Sequence, residues 1–229
     1  MKLNDVKHNY SKEYFKELFK YSLGEDIANA VTHTVGVFFS LYALINLSWT
    51  VGKYGNAVDC FAFIFYGCTI LFMFLMSALY HSMTHHKARI VFKRLDHIAI
   101  FVLIIGSYTP YVFSLLKTNA AYFLYSILTI VGIIGIIFKS MYAGKHKILS
   151  TLIYFFMGIG AFCLLPQIIK VTSKPCFYLM LISGVIYTIG AIIYASAKFK
   201  YSHMVWHILV LLAVITMFCS INFFILQGR

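Results

Sequence analysis

Seven predominantly apolar stretches, residues 27–50, 57–80, 95–115, 120–138, 148–169, 176–196 and 203–226, occupy most of this 229-residue chain. A helix needs roughly 20 apolar residues to cross the hydrocarbon core of a bilayer, and each stretch is about that long. The apolarity runs all round, whereas a barrel strand would show about ten residues of period-two patterning. The chain is therefore expected to be all-α, a polytopic membrane protein built as a seven-transmembrane helix bundle. Hydrophobic residues make up 61% of it and charged residues 11%, with a mean hydropathy of +0.84. A water-soluble core of this size cannot cover so much apolar surface, so the natural solvent is lipid.

Residues 27–229 read as one membrane domain whose short loops place consecutive helices side by side and antiparallel. Residues 1–26 read as a cytoplasmic amphipathic tail: Tyr14, Phe15, Leu18 and Phe19 recur at helical spacing among lysines, although a solvated tail fits the same pattern. The tail lacks a short apolar core ending in small residues, so the first span itself is expected to target the chain.

Orientation follows from where lysine and arginine fall. Lys2, Lys7, Lys12, Lys16 and Lys20 precede the first span, and the loops after spans two, four and six add Lys87, Arg89, Lys93 and Arg94, then Lys139, Lys145 and Lys147, then Lys198 and Lys200. The other side holds Lys53, Lys117, Lys170, Lys174 and Arg229. The amino terminus is expected in the cytoplasm and the carboxyl terminus outside. The same bias explains the net charge of +12 without a nucleic-acid partner, because basic loops at one face attract anionic headgroups. The sequence argues against a retinal-type photoreceptor, since His203 to Gln227 contains no lysine for a Schiff base.

Pro110, within Gly106-Ser107-Tyr108-Thr109-Pro110-Tyr111, is expected to kink the third helix and free a carbonyl that Ser107 or Thr109 helps to satisfy. Pro166 is expected to act similarly in the fifth. Gly132, Gly135, Gly158 and Gly160 read as sites of close helix packing. Cys60 and Cys176 both approach the outer face, which leaves a disulfide open.

Ionisable groups within spans are costly and mark function by default. Only two acids lie between residue 27 and the carboxyl terminus, Asp59 and Asp96. Asp59 opens the second span and reads as a solvated or capping group. Ser77 and His81 close that span, Asp96 opens the third, and His203 and His207 open the last, so all five share one depth near the cytoplasmic face. Residues at i and i+4 share a helix face. His203 and His207 can thus present two imidazoles to one point, and His81 completes a set of three. Three protein ligands with a fourth position for water is the pattern of a catalytic zinc site, although iron, nickel and copper also accept imidazole. His97 cannot point where Asp96 points and reads as a supporting residue. Glu25, Asn29 and His33 form a stripe at i, i+4 and i+8 that either orients the ligands or ties the first helix to its neighbours. His85, His86 and His146 read as exposed loop residues.

Glu25-Asp26-Ile27-Ala28-Asn29 with Thr32-His33, Ser77 to His81, Arg94-Leu95-Asp96-His97 leading into Gly106 to Pro110, and His203 with His207 together resemble the hemolysin III branch of the progestin and adiponectin receptor family. That family belongs to a wider group with the alkaline ceramidases. The resemblance implies seven helices with the amino terminus inside, zinc on His81, His203 and His207, and Ser77 and Asp96 holding or activating the water at the metal. It also implies a bacterial cell-membrane protein with membrane lipids as partners, acting as a lipid amide or ester hydrolase in membrane homeostasis. Two other readings stay open: a non-enzymatic membrane-stress protein with structural zinc, and a pore-forming cytolysin. The spans carry no clear file of polar residues from face to face, which a conducting pore would need.

Overall fold

The computed structural model describes residues 18–142 and 146–226. Seven helices in it are long and apolar enough to cross a membrane, and no strand occurs among the described residues. Helix α1 runs Leu23–Tyr54, α2 Ala57–Ser82, and α3 His86–Thr109, continued by a π-helical turn Pro110–Leu116. Helix α4 runs Asn119–Tyr142. The fifth span is α5 Lys147–Ile159, a 3₁₀ stretch Gly160–Leu164 and α6 Leu165–Val171, followed by α7 Lys174–Ser196 and α8 Ser202–Phe224. Every apolar stretch became a span, but α1 begins four residues before its expected start at 27 and α3 nine before its start at 95.

Local chemistry sets these starts. Ser22 and Glu25 close a capping box on α1, with the Glu25 amide donating to Ser22 Oγ at 3.4 Å and the Ser22 amide donating to Glu25 Oε2 at 3.1 Å. Asn56 and Asp59 do the same for α2: the Asp59 amide donates to Asn56 Oδ1 at 3.0 Å and the Asn56 amide to Asp59 Oδ2 at 3.1 Å. The capping alternative for Asp59 is therefore the one realised, with the side chain buried rather than solvated.

The helices pack as sequential antiparallel neighbours, and α8 returns against α1 as well as α7. Spans two and three are the most enclosed, while the outer rows stay apolar and exposed, as at Phe38, Ile45 and Trp49 on α1. Such rows suit acyl chains as neighbours. A Cβ at Gly132 would run into Ile105, and one at Gly135 into the Phe101 ring, so both glycines permit close approach of α4 to α3. Gly158 faces open space and needs another account.

Both prolines break regular helix as expected. Pro110 offers no N–H to the Gly106 carbonyl, and the Thr109 hydroxyl donates there instead, at 2.6 Å, with Ala62 O of α2 at 2.9 Å from the same oxygen. In the fifth span the backbone tightens to 3₁₀ ahead of Pro166. There the Tyr108 hydroxyl lies 2.8 Å from Met157 O and 3.0 Å from Gly158 O and accepts from the Ala161 amide at 2.9 Å. The five cysteines are all free, so the Cys60–Cys176 option is not realised.

Candidate metal centre

Seven helix ends define one face of the bundle at which α2 finishes and α1, α3 and α8 begin, and there the three expected imidazoles meet. One ring nitrogen from each of His81, His203 and His207 lies within 4.8 Å of the others. The Nε2 atoms of His203 and His207, one turn apart on α8, are 3.1 Å apart. The His81 ring centroid lies 5.3 Å from that of His203 and 5.2 Å from that of His207.

Neighbouring groups fix which nitrogens face inward. Nδ1 of His81 is 2.9 Å from Asp26 Oδ1. A carboxylate only accepts, so the proton sits on Nδ1 and the Nε2 lone pair is left for the cluster. His207 Nδ1 donates to the Asn29 carbonyl at 3.3 Å and again leaves Nε2 with its lone pair. Carboxylate or carbonyl acceptors behind ligating imidazoles are the usual support of a metal site. Among the described residues, His81 Nε2 is buried without a hydrogen-bond partner, as are Ser77 Oγ, both His33 ring nitrogens and both Asn29 side-chain polar atoms. Such a concentration of unsatisfied polar atoms is rare in a packed interior and asks for a polar or cationic occupant. Two nitrogens bound tetrahedrally at 2.0–2.1 Å sit roughly 3.3 Å apart. The donor set, its tautomers and the His203–His207 spacing therefore fit zinc.

The acid behind His81 is Asp26, not Glu25. Asp26 Oδ2 also accepts from Arg89 at 2.6 Å, and Arg89, only 3% exposed, donates further to Leu18 O and Met83 O, each at 3.0 Å. Its guanidinium lies over the Phe19 and Tyr80 rings. Glu25 instead caps α1 and accepts from the Tyr201 amide at 3.2 Å, which ties the start of α8 to the start of α1. Helical phase held the clue: Asp26, Asn29 and His33 span about 60° of the α1 circumference, a tighter stripe than Glu25, Asn29 and His33 at about 80°. His33 stacks on His207 with centroids 3.6 Å apart, and Tyr21, also unanticipated, stacks on His203 at 4.9 Å.

Asp96 is not in the donor group. It lines a cavity of about 410 Å³ that His33, His203 and His207 also line. His97 lines it too, with Nδ1 donating to Lys93 O at 2.7 Å and lying 3.7 Å from Asp96 Oδ2. Ser77 is buried one turn before His81. His86 is not a plain loop residue, because it opens α3 and meets Phe19 edge-on at 5.0 Å; His85 and His146 are exposed. Leu18 packs with Tyr80 and Ile90, while Tyr14 and Phe15 lie outside the described residues.

A bundle of seven membrane-length helices with convergent imidazoles at one end makes this an integral, multi-pass membrane protein with a candidate metal centre. Residues 21–218 match the model of the family described as haemolysin-III related, and the chain belongs to that family. It is similar to the hemolysin-3 homolog of Bacillus subtilis (strain 168), 34% identical over 204 residues that cover 89% of this chain and 96% of that protein. It is also similar to hemolysin-3 of Bacillus cereus, 36% identical over 202 residues covering 88% and 92%.

Proposed function

We propose that this chain is a zinc-dependent hydrolase of the bacterial cell membrane, cleaving a lipid amide or ester close to the cytoplasmic face and so serving membrane lipid homeostasis. The observation that carries the reading is the convergence of His81, His203 and His207 with two of the three Nδ1 atoms committed to acceptors behind them. Zinc held there would act as a Lewis acid and lower the pKa of its water toward ~7. Asp96, in the wall of the adjoining cavity, would take a proton from the attacking water and return it to the leaving amine or alcohol. The Ser77 hydroxyl, buried and without another partner among the described residues, would donate to the oxygen that gains charge. The products are a carboxylic acid and an amine or alcohol. The basic residues at the histidine end argue for placing that end in the cytoplasm.

Purified protein should hold about one zinc per chain, and His207→Ala should remove both the metal and lipid turnover. Metal-free wild-type protein after zinc-replete expression refutes the reading.

A second reading is favoured by Asp96 standing outside the donor group: zinc merely staples the helices that Asp26, His81, Arg89 and His203 already bring together. Asp96→Asn then keeps both the zinc and the ability to complement a membrane defect in cells lacking the protein, whereas the hydrolase reading requires complementation to fail. The relatives' names attach haemolysis to those proteins. For this chain a cytolytic reading requires vesicle leakage that survives loss of all three histidines.

A further inference from the structure

His81 and His207 are buried and His203 partly so, so a solute arriving from water reaches the donor set past whatever covers His203. Two aromatic rings do. Tyr21 stacks on the His203 ring with centroids 4.9 Å apart and planes 18° from parallel, and it tilts over His81 at 5.6 Å. Tyr194 meets His203 at 5.8 Å and packs on Trp206 at 5.4 Å. A second cavity, of about 160 Å³, is lined by Lys20, Tyr21, Tyr194, Ala197, Ser202 and His203. Lys20, Tyr21, Tyr194 and His203 line the 410 Å³ cavity as well, so these four side chains form the partition between the two spaces. The smaller space is bounded by chain at the helix ends: Lys20 and Tyr21 precede the Ser22 cap of α1, Ala197 ends α7 and Ser202 opens α8. It is a vestibule on the water side, with room for several water molecules.

A hydrated cation keeps its water only where polar groups or open solvent line the way. The vestibule offers serine, tyrosine and imidazole, whereas the larger cavity is walled along α3 by Leu103, Ile104, Val112 and Leu116. The two covering rings also differ in how they are held. Tyr194 is part of α7, while Tyr21 lies in the non-helical residues 20–22. Both ends of that stretch are fixed: Leu18 O accepts from Arg89 Nε at 3.0 Å, the Phe19 ring lies against the Arg89 guanidinium, and Ser22 caps α1 through Glu25. Glu25 is tied in turn to the Tyr201 amide at the start of α8. Lys20 and Tyr21 thus form a short strap between two anchors, with the Lys20 ammonium 4.8 Å from the Tyr21 ring centroid. Pivoting this strap requires no helix to unfold. Because both residues sit on it, lifting it carries the ring and the positive charge away from His203 together.

We propose that this vestibule is the port through which water-borne solutes, zinc first among them, reach the three imidazoles, and that Tyr21 is its door. The inference rests on the zinc reading only in naming the solute, and it requires no turnover. A door sets how fast the centre exchanges with water and leaves how tightly it binds unchanged, which separates this role from that of a residue supporting a ligand.

The test uses full-length protein purified in detergent and stripped of metal, and measures the rate of zinc uptake, the rate of zinc loss to excess chelator, and the affinity by competition. Tyr21→Ala should speed uptake and loss alike by about three- to tenfold, the scale of one lost ring stack, with affinity within about twofold of wild type. Tyr21→Phe keeps the ring and should exchange zinc at wild-type rates. Ala197→Trp, which places a bulky ring in the vestibule, should slow both rates. Retained affinity shows that each variant is folded. A metal-independent arm follows carbethoxylation of His203 by diethyl pyrocarbonate in the stripped protein, read by mass spectrometry against the exposed His85 and His146. Tyr21→Ala should label His203 faster and leave those two unchanged. Wild-type exchange rates in Tyr21→Ala overturn the proposal, as does labelling of His203 that is indifferent to the ring. A weaker affinity with an unchanged uptake rate also overturns it, by making Tyr21 a support for His203. Stripped wild-type protein that takes up no zinc yet shields His203 through the Tyr21 ring sinks the metal reading and leaves the port standing.

Discussion

Replacing Asp26 with asparagine changes one oxygen to an amide nitrogen at a residue that accepts from two donors at once. Its Oδ1 holds His81 Nδ1 at 2.9 Å and its Oδ2 holds Arg89 at 2.6 Å. Asparagine has a single acceptor oxygen, so one of the two contacts must go. If His81 loses its acceptor, the imidazole is freed to rotate and its Nε2 becomes less basic; loss of such a partner typically lowers metal affinity 10- to 100-fold, or about 1.4–2.7 kcal/mol. If Arg89 loses its carboxylate, a buried charge keeps only the Leu18 and Met83 carbonyls and the faces of Phe19 and Tyr80. Removing one partner of a buried pair costs about 3–5 kcal/mol, and those remaining contacts place the effect at or below the lower end of that range. Asp26→Asn should therefore either weaken zinc binding by about tenfold or more, where His81 loses the oxygen, or lower the thermal midpoint, where Arg89 loses it. Competition against a metallochromic chelator, in protein stripped of metal and refilled with zinc, measures the first; detergent-compatible thermal unfolding measures the second. Zinc affinity within twofold of wild type together with an unchanged thermal midpoint would refute the claim that one carboxylate serves both His81 and Arg89.

Glu25→Gln is the matched contrast: zinc affinity should stay near wild type, while stability falls by about 1 kcal/mol through the weakened capping box, read by the same two assays. Thr109→Val should cost about 1–3 kcal/mol in denaturant or thermal unfolding, since the Gly106 carbonyl freed by Pro110 loses its donor. Gly135→Ala should destabilise by about 1–3 kcal/mol because the new methyl meets the Phe101 ring, whereas Gly158→Ala, facing open space, should fall within about 0.5 kcal/mol of wild type in the same measurement.

All seven spans were legible because a spanning helix must satisfy its backbone internally and present apolar side chains for some twenty residues, a signal each segment carries alone. The pairing of His203 with His207 was legible for a similar reason, as one helical turn of spacing. Asp26 was not, because the first span seemed to open at Ile27 and the acid just before it fell outside the count of buried carboxylates. The capping box at Ser22 carries the helix past that boundary and brings Asp26 beside His81. Arg89, Lys93 and Lys139 were read for their sign, which bears on topology, and not for their burial, which depends on neighbours far along the chain. The cavity left no trace in the sequence, since its wall is assembled from most of the spans and no single stretch reveals that the others stand apart.

The order of the site residues along the chain gives the metal centre a direction in time. Asp26, His81 and Arg89 are joined within the first three helices, whereas His203 and His207 arrive only with α8. A nascent chain entering the membrane helix by helix thus carries an oriented single imidazole long before it can chelate anything. On the proposed zinc reading, metal capture would mark completed insertion, and molecules truncated or stalled before α8 retain the Asp26–His81 half without the paired imidazoles that finish it.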